Sequence, residues 1–219
     1  EISIAPEFHS KWSEIKLECI ECDVVVEMQN DYLWHKIDTT CNEISLKVKV
    51  EEICEIPAIA SNRKAYRALG KDPARYRPSA EALIRRIVKG YGLYRVNNVV
   101  DIVNLVSLAT GFSIGGYDLQ KIKTPVSLSV GANNDLYEGI GRGELNIEYL
   151  PVLRDQAGAF GSPTSDSIRT SVDNDTTKFL MVIFGFGDHN NLLDATEFAK
   201  KLLIEFASTT EVSNFTVHP

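Results

Sequence analysis

The strongest constraint on the fold is a continuous apolar run near the C-terminal end of the chain, KFLMVIFGF at residues 178–186. It does not alternate between polar and apolar residues, and this is the pattern of a strand buried on both faces. A helix that spans a bilayer needs about twice this length, so the run is too short to cross a membrane. It therefore predicts a central strand of a sheet, and no membrane partner is expected.

Further strands are predicted on both sides of a helical middle. Residues 15–28 are rich in apolar and β-branched residues, and residues 45–50 (SLKVKV) alternate more regularly, so each segment predicts a strand. Beyond residue 116, short apolar segments separated by turn residues predict a β-rich region. These segments are YDLQKI, VSLSVGA, LYEGI, LNIEYL, PVLRD and SIRTS, at residues 117–122, 126–132, 136–140, 145–150, 151–155 and 167–171.

Helices are predicted in the middle and at the end of the chain. A short helix or helical turn is expected at 31–37, followed later by a connector over 51–61. Ser61 or Asn62 is expected to cap a helix that ends at Gly70, and Ser79 to cap the next one, which ends at Gly90. The core face of a closing helix comprises Leu192, Leu193, Thr196, Ala199, Leu202, Leu203 and Phe206. This arrangement predicts an α+β fold, and the length suits one domain over residues 1–219.

A helix that is apolar almost all round is predicted at residues 96–111, VNNVVDIVNLVSLATG, with Gly111 as its stop. Asp101, Asn104 and Ser107 are spaced by three and form one polar stripe along it. An unsatisfied buried polar group costs on the order of 1 to 3 kcal/mol, so these side chains must be hydrogen-bonded. They either bond to neighbouring backbone or line a pocket.

The charge is distributed unevenly along the chain. The formal net charge of −7 argues against binding a polyanion over the whole surface, and no DNA partner is expected. Residues 63–95 nevertheless contain ten basic and two acidic residues, whereas the rest of the chain has 13 basic and 28 acidic ones. A nucleic-acid backbone could therefore be contacted locally. The alternative is a pair of helices whose solvated faces happen to be basic.

Neither a metal nor a cofactor is expected. Cys19 and Cys22 form a C-x-x-C, but a strand would point the two thiols to opposite faces, and no second pair supplies further ligands. P-loop, dinucleotide-binding, zinc-protease and nucleophile-elbow motifs are absent. These two cysteines, together with Cys41 and Cys54, are expected to be free thiols. No secretory signal is visible, so the expected location is the cytoplasm.

Several segments carry a family resemblance. They are SNRKAYRALGKDPARYRPSAEALIRR (61–86), VNNVVDIVNLVSLATGFSIGGYDLQKI (96–122), YEGIG (137–141), LRDQAGAFGSP (153–163), SIRT (167–170) and Thr176-Thr177. Together they resemble the B3/B4 domain of the phenylalanyl-tRNA synthetase β subunit, in its free-standing version, over residues 60–208. The resemblance implies a β-rich layered core with helices packed on it.

The resemblance also implies a connection with tRNA, because the synthetase domain hydrolyses tyrosine wrongly attached to the phenylalanine tRNA. Such editing is needed because a pocket selective for phenylalanine rejects one extra hydroxyl only imperfectly. Two features of the synthetase domain differ in this chain. Gly115-Gly116 precede Tyr117-Asp118 where the family carries a histidine, and SPTSDSIRTS follows the glycine-rich segment where the family carries a glutamate that contacts the tyrosine hydroxyl.

An aminoacyl ester is already activated, so its hydrolysis chiefly requires an oriented water and a stabilised oxyanion. The candidate catalytic residues are Asp101, Asp118, Asp155 and Arg169. The candidate pocket residues are Asn98, Asn104, Gly115, Gly116, Tyr117, Thr170 and Thr177. Structural roles remain open for several of them, as helix caps for Asn98 and Asp101 and as turn residues for Asp118 and Asp155.

The expected partner is tRNA or aminoacyl-tRNA, and the expected reaction is hydrolysis of mischarged aminoacyl-tRNA in trans. The candidate RNA contacts are Arg63, Lys64, Arg67, Arg75, Arg77, Arg85 and Arg86. One alternative is a domain that binds or senses an amino-acid-like small molecule and has lost tRNA editing. Another is a protein-binding module without a ligand, which predicts a filled pocket.

Overall fold

The predicted central strand is β9 (Lys178–Gly185) in a computed structural model of the chain, which describes residues 2–187 and 191–219. It lies between β2 (Lys16–Asp23) and β3 (Ser113–Asp118), and it is antiparallel to both. The last strand, β10 (Val212–Val217), pairs with the outer side of β2. The four strands form the first sheet, in the order β10-β2-β9-β3, and β9 is an interior strand as predicted.

The apolar run has a simple cause, since both faces of β9 are covered. Phe179, Met181 and Ile183 belong to a core shared with three helices. Leu180, Val182 and Phe184 belong to a second core, between the first sheet and another sheet. The same alternation separates the cysteines of β2, because Cys22 lies in the first core and Cys19 in the second, as the sequence predicted.

The second sheet has the order β1-β4-β7-β8. Its strands are β1 (Ile2–Ile4), β4 (Val126–Val130), β7 (Pro151–Asp155) and β8 (Gly158–Gly161). β1 is parallel to β4, whereas β4, β7 and β8 are antiparallel neighbours. A two-stranded ribbon of β5 (Glu138–Gly139) and β6 (Gly143–Glu144) lies between β4 and β7 in sequence.

Six helices complete the architecture of the described residues. They are α1 (Pro6–Lys11), α2 (Asp31–Lys47), α3 (Pro57–Leu69), α4 (Ser79–Val88), α5 (Asn98–Thr110) and α6 (Leu192–Phe206). Helices α2, α5 and α6 cover the first sheet on the face opposite the second sheet. The fold is therefore α+β, with a helical layer, a sheet and a second sheet. No helix of the described residues is long and apolar enough to cross a membrane.

Helix ends were predicted well where glycine takes a left-handed conformation. Gly70 and Gly111 follow α3 and α5 with φ angles of 99° and 78°, which a side chain would strain. Other boundaries were wrong. α3 begins at Pro57, so Ser61 and Asn62 lie inside it, and Ser79 is the first residue of α4 without acting as a side-chain cap.

Three strand predictions were also wrong. Residues 45–50 are the end of α2 and the turn after it, because the apolar spacing of Leu33, Trp34 and Ile37 continues helically through Cys41 and Ile44. In residues 145–150, Ile147 and Leu150 are buried in a small core, but the segment joins no sheet. Residues 168–170 form a short 3-10 helix, as do residues 119–121, which follow the end of β3.

The closing helix keeps its predicted core face with one exception. Leu193 is 61% exposed, and its neighbour Ala195 is buried instead. The four cysteines are free.

Candidate functional site

A cavity of about 630 Å³ opens between α4, α5, β3 and the segment that follows β8. Its apolar wall includes these helix and strand residues: Leu83, Val100, Val103, Ile114 and Phe179. Polar side chains from several different segments also line it. They are Ser79, Arg86, Asn104, Arg142, Thr164, Ser165, Asp166 and Ser171. A cavity with an apolar wall and a few converging polar groups is the usual form of a ligand site.

Asp166 is the acidic residue among the described residues that line this cavity. Its carboxylate accepts hydrogen bonds from the Tyr117 hydroxyl at 2.7 Å and from the Gly116 amide at 3.3 Å. Burial raises the pKa of Asp166 to about 7, although these hydrogen bonds act in the opposite direction. The cavity therefore presents a half-buried carboxyl that exchanges its proton near neutral pH.

The position of Asp166 depends on Tyr117, which is fully buried. Its hydroxyl lies so close to Gly115 and Gly161 that a Cβ atom at either position would overlap it. Glycine at these two positions therefore makes room for the phenol. Burial raises the pKa of this phenol well above its usual value, so Tyr117 stays a hydrogen-bond donor to Asp166.

The site loop, residues 162–167, is fixed by hydrogen bonds from several elements. The Tyr66 hydroxyl lies 2.8 Å from the Thr164 hydroxyl, and the Tyr137 hydroxyl donates to the Ser165 carbonyl at 2.6 Å. At its two ends, the Ser79 amide donates to the Pro163 carbonyl and the Ile140 amide donates to the Asp166 carbonyl. The loop is therefore a preorganised part of the site.

Polar groups remain available to a ligand in this cavity. The Ser79 hydroxyl is buried and has no hydrogen-bond partner among the residues described. The Asn104 amide and the Arg142 guanidinium also form no side-chain hydrogen bond or ion pair with any residue that the structure describes. An unsatisfied buried hydroxyl is costly, and a bound ligand or water would relieve that cost.

The structure places two predicted pocket residues, Asn104 and Gly116, at this cavity. Gly115 and Tyr117 lie directly behind it as the support of Asp166. Asn98 is instead a buried structural tether, because its amide bonds to the backbone of Glu27, Val25 and Phe206.

The four predicted catalytic residues do not line the cavity, although two of them, Asp155 and Arg169, contact each other. Asp101 accepts from the Trp34 indole at 2.6 Å and from the Val96 amide, and burial raises its pKa. Asp118 caps the 3-10 helix after β3 and accepts from Thr176 at 2.9 Å.

Asp155 and Arg169 form a two-point ion pair, with N to O distances of 2.9 and 3.1 Å. Burial opposes ionisation of Asp155, but the bonds from Arg169 and the backbone amides of Lys123 and Ala157 keep its pKa below the usual value. This pair fixes the β7–β8 turn to the 3-10 helix of residues 168–170. Thr170 is fully buried beside it, and Thr177 bonds to Gln120.

Asp166 was missed because its signal in sequence is weak. It stands in SPTSDS, a stretch of small polar residues and proline that looks like an ordinary turn. The position of this stretch in the family pattern, after the glycine-rich segment, was the available clue.

The basic segment is divided by the fold. Arg63 and Arg85 both contact the fully buried carboxylate of Glu81, at 2.7 and 2.8 Å. These two arginines therefore form ion pairs within the protein. Arg63 keeps 12% of its side chain exposed and Arg85 keeps 22%.

The remaining candidate RNA contacts are accessible. Lys64 and Arg67 are exposed on one face of α3, and Arg75 and Arg77 are exposed in the turn that precedes α4. We call these four residues the basic strip. Arg86 is half-buried and lines the cavity.

Comparisons with known proteins give a family and similar solved structures. The model of the B3/4 domain family matches residues 61–207. An N-terminal fragment of the phenylalanyl-tRNA synthetase β subunit from Pyrococcus horikoshii is a similar solved structure, with 14% sequence identity and a TM-score of 0.48. The similarity covers 99% of this chain and 52% of that one, so the chain spans about half its length. A search of curated proteins gives no match.

Proposed function

The chain belongs to the B3/4 domain family, and from this premise we propose that it binds aminoacyl-tRNA and hydrolyses mischarged aminoacyl-tRNA in trans. The observation that supports the proposal is the cavity around Asp166. It combines an apolar wall, a desolvated carboxyl and two guanidinium groups, from Arg86 and Arg142.

These groups suit the end of a charged tRNA. The apolar wall can take the amino-acid side chain, and the Asp166 carboxylate can pair with the α-ammonium group or orient a water molecule. Arg86 and Arg142 can contact the nearby phosphate. Because the ester is already activated, placing water beside it in a preorganised polar cavity is sufficient to accelerate hydrolysis.

The basic strip would contact the body of the tRNA. Phosphate contacts position a nucleic acid without reading its sequence, and exposed lysine and arginine side chains supply them. The rest of the chain is strongly acidic, so RNA would be repelled from other faces and directed to this one.

A second function is favoured by a specific observation. Glu81 pairs with both Arg63 and Arg85 and holds them largely buried, so the positive surface is smaller than the sequence suggests. The same cavity would then hold a free amino acid or a related metabolite, and Asp166 and Arg142 would bind its ammonium and carboxylate groups.

Deacylation of a panel of charged tRNAs, Tyr-tRNA and Phe-tRNA included, tests the proposal. The purified protein is compared with Asp166→Asn and with Asp194→Asn, which changes an exposed acid on α6. Binding of uncharged tRNA is measured in parallel at low and at high salt.

Selective release of one amino acid that is lost in Asp166→Asn and retained in Asp194→Asn supports editing. Salt-sensitive binding without release supports tRNA binding and contradicts hydrolysis. If the protein neither releases an amino acid nor binds tRNA, the proposed tRNA function is rejected. Calorimetric titration with free amino acids then tests the second function.

A further inference from the structure

We propose that Tyr91, Tyr94 and Arg86 form a stacking platform for unpaired RNA bases at the mouth of the cavity. The proposal rests on the proposed function for its occupant, the single-stranded 3′ end of tRNA. It adds two tyrosines that neither the cavity nor the basic strip includes.

The two tyrosines are unusually open to solvent for aromatic residues. Tyr91 is 69% exposed and Tyr94 is 71% exposed, in the segment between α4 and α5. Side chains this exposed add little to the stability of the fold, so packing does not explain them. Two exposed rings beside a cation point to a recognition surface.

Arg86 connects the two rings. Its guanidinium carbon lies 4.2 Å from the centre of the Tyr94 ring and 5.8 Å from that of Tyr91. Its Nε donates to the Gly92 carbonyl at 2.6 Å, and Nη2 donates to the Tyr91 carbonyl at 3.4 Å. The arginine therefore fixes the segment that carries both rings.

The charge of Arg86 remains available, since this residue forms no ion pair with any of the described residues. Arg95 in the same segment differs, because it pairs with Asp31 at 3.0 Å and stacks on Trp34. An unneutralised guanidinium between aromatic rings suits a ligand that offers both a flat π face and a negative phosphate. Unpaired RNA bases provide both.

The platform is continuous with the cavity. Arg86 belongs to both, and Val96, at the end of the same segment, also lines the cavity and is 42% exposed. A strand whose last bases stack on Tyr91 and Tyr94 would therefore place its terminal ribose near Asp166.

The test uses three RNA probes and a set of variants. Two of the probes are a tRNA with its unpaired CCA end and the same tRNA without that end. The third is a labelled single-stranded RNA hexamer ending in CCA. The variants are Tyr91→Ala combined with Tyr94→Ala, and Tyr94→Phe, which keeps the ring. Tyr32→Ala is the matched control, because this α2 residue is 84% exposed and its ring stacks on no cation of the described residues.

We expect wild type to bind intact tRNA more tightly than the shortened one by about tenfold for each stacked base. The double alanine variant should lose this difference and bind the hexamer correspondingly more weakly. Tyr94→Phe and Tyr32→Ala should behave as wild type, since a phenyl face is retained in the first and the platform is untouched in the second.

Other outcomes separate the two proposals. If the double variant keeps the full effect of CCA removal, the platform is refuted while tRNA binding stands. Hexamer binding that requires the tyrosines, without tRNA binding, retains the platform and rejects the tRNA function. Binding of neither RNA at low salt rejects both.

Discussion

The Tyr117 hydroxyl donates a 2.7 Å hydrogen bond to the Asp166 carboxylate across the floor of the cavity. The donor comes from the first sheet and the acceptor from the site loop, so this bond joins the two parts of the site. It also lowers the pKa of a carboxyl that burial would otherwise raise further. The electrostatics of the cavity therefore depend on a residue that no ligand needs to touch.

Tyr117→Phe should destabilise the protein by about 1 to 3 kcal/mol at pH values above 7, because a buried carboxylate loses a donor. Below about pH 6 the loss should be smaller, since Asp166 is then protonated and needs that donor less. Urea unfolding at the two pH values measures the effect. If the stability lost in Tyr117→Phe does not change with pH, the hydrogen bond to Asp166 is not the cause of the loss.

Asp166→Asn should alter the pH dependence of stability. Because burial raises the pKa of Asp166 from 3.8 to about 7, the native state holds its proton up to a higher pH than the unfolded chain does. Between these values the native state binds more protons, so this residue lowers the stability as the pH rises through the window.

Wild type should therefore lose stability relative to Asp166→Asn from about pH 4 to 7, by at most about 1.4 kcal/mol for each pH unit. The difference should be constant above that window. Denaturant titrations at a series of pH values measure this difference in the free energy of unfolding. Asp194→Asn is the control, and its stability should change with pH as that of wild type does. A parallel course for Asp166→Asn would contradict the raised pKa.

Glu81→Ala should be strongly destabilising, by about 3 to 5 kcal/mol, because it leaves Arg63 and Arg85 without their buried partner. Glu43→Ala is a suitable comparison, since Glu43 forms an exposed pair with Lys47 on α2 and should cost only about 0.5 kcal/mol. Guanidinium unfolding of both variants tests this. Similar small losses would mean that Glu81 does not organise the basic helices.

Charge reversal of Lys64 and Arg67 should weaken tRNA binding and lower its salt dependence by about one ion for each phosphate contact removed. Reversal of Lys11 and Lys201, which are exposed elsewhere, changes the net charge equally and is the control. Titrations over a series of salt concentrations measure both slopes. Equal effects of the two pairs would assign the binding to net charge and not to the basic strip.

The parts of the fold that sequence predicted have strong local causes. The β9 run is apolar because both of its faces are buried, and Gly70 and Gly111 end helices because they adopt positive φ angles. The SLKVKV segment misled because six alternating residues also fit the exposed end of a helix. The helix extends into this segment because Cys41 and Ile44, on the preceding turns, pack on a neighbouring core.

The site was harder to predict than the fold, for a physical reason. Asp101, Asp118 and Asp155 are buried acids of the kind that sites contain, but each is fully occupied by indole, hydroxyl, guanidinium or backbone donors. The sequence shows that these residues are acids, but it does not show which donor groups the fold brings into contact with them. The environment of Asp166 is formed by a phenol and a loop that approach it from distant parts of the chain.

The first sheet also determines when this chain can fold during synthesis. Leu17 of β2 pairs on one side with Phe184 and on the other with Val217, so both neighbours are made long after β2 itself. Helices α2, α4 and α5 also contact one another, and these contacts are nearer in sequence and can form earlier. During synthesis β2 must wait, with both edges unpaired, until β9 and β10 have been made, and an unpaired strand edge is prone to misassembly.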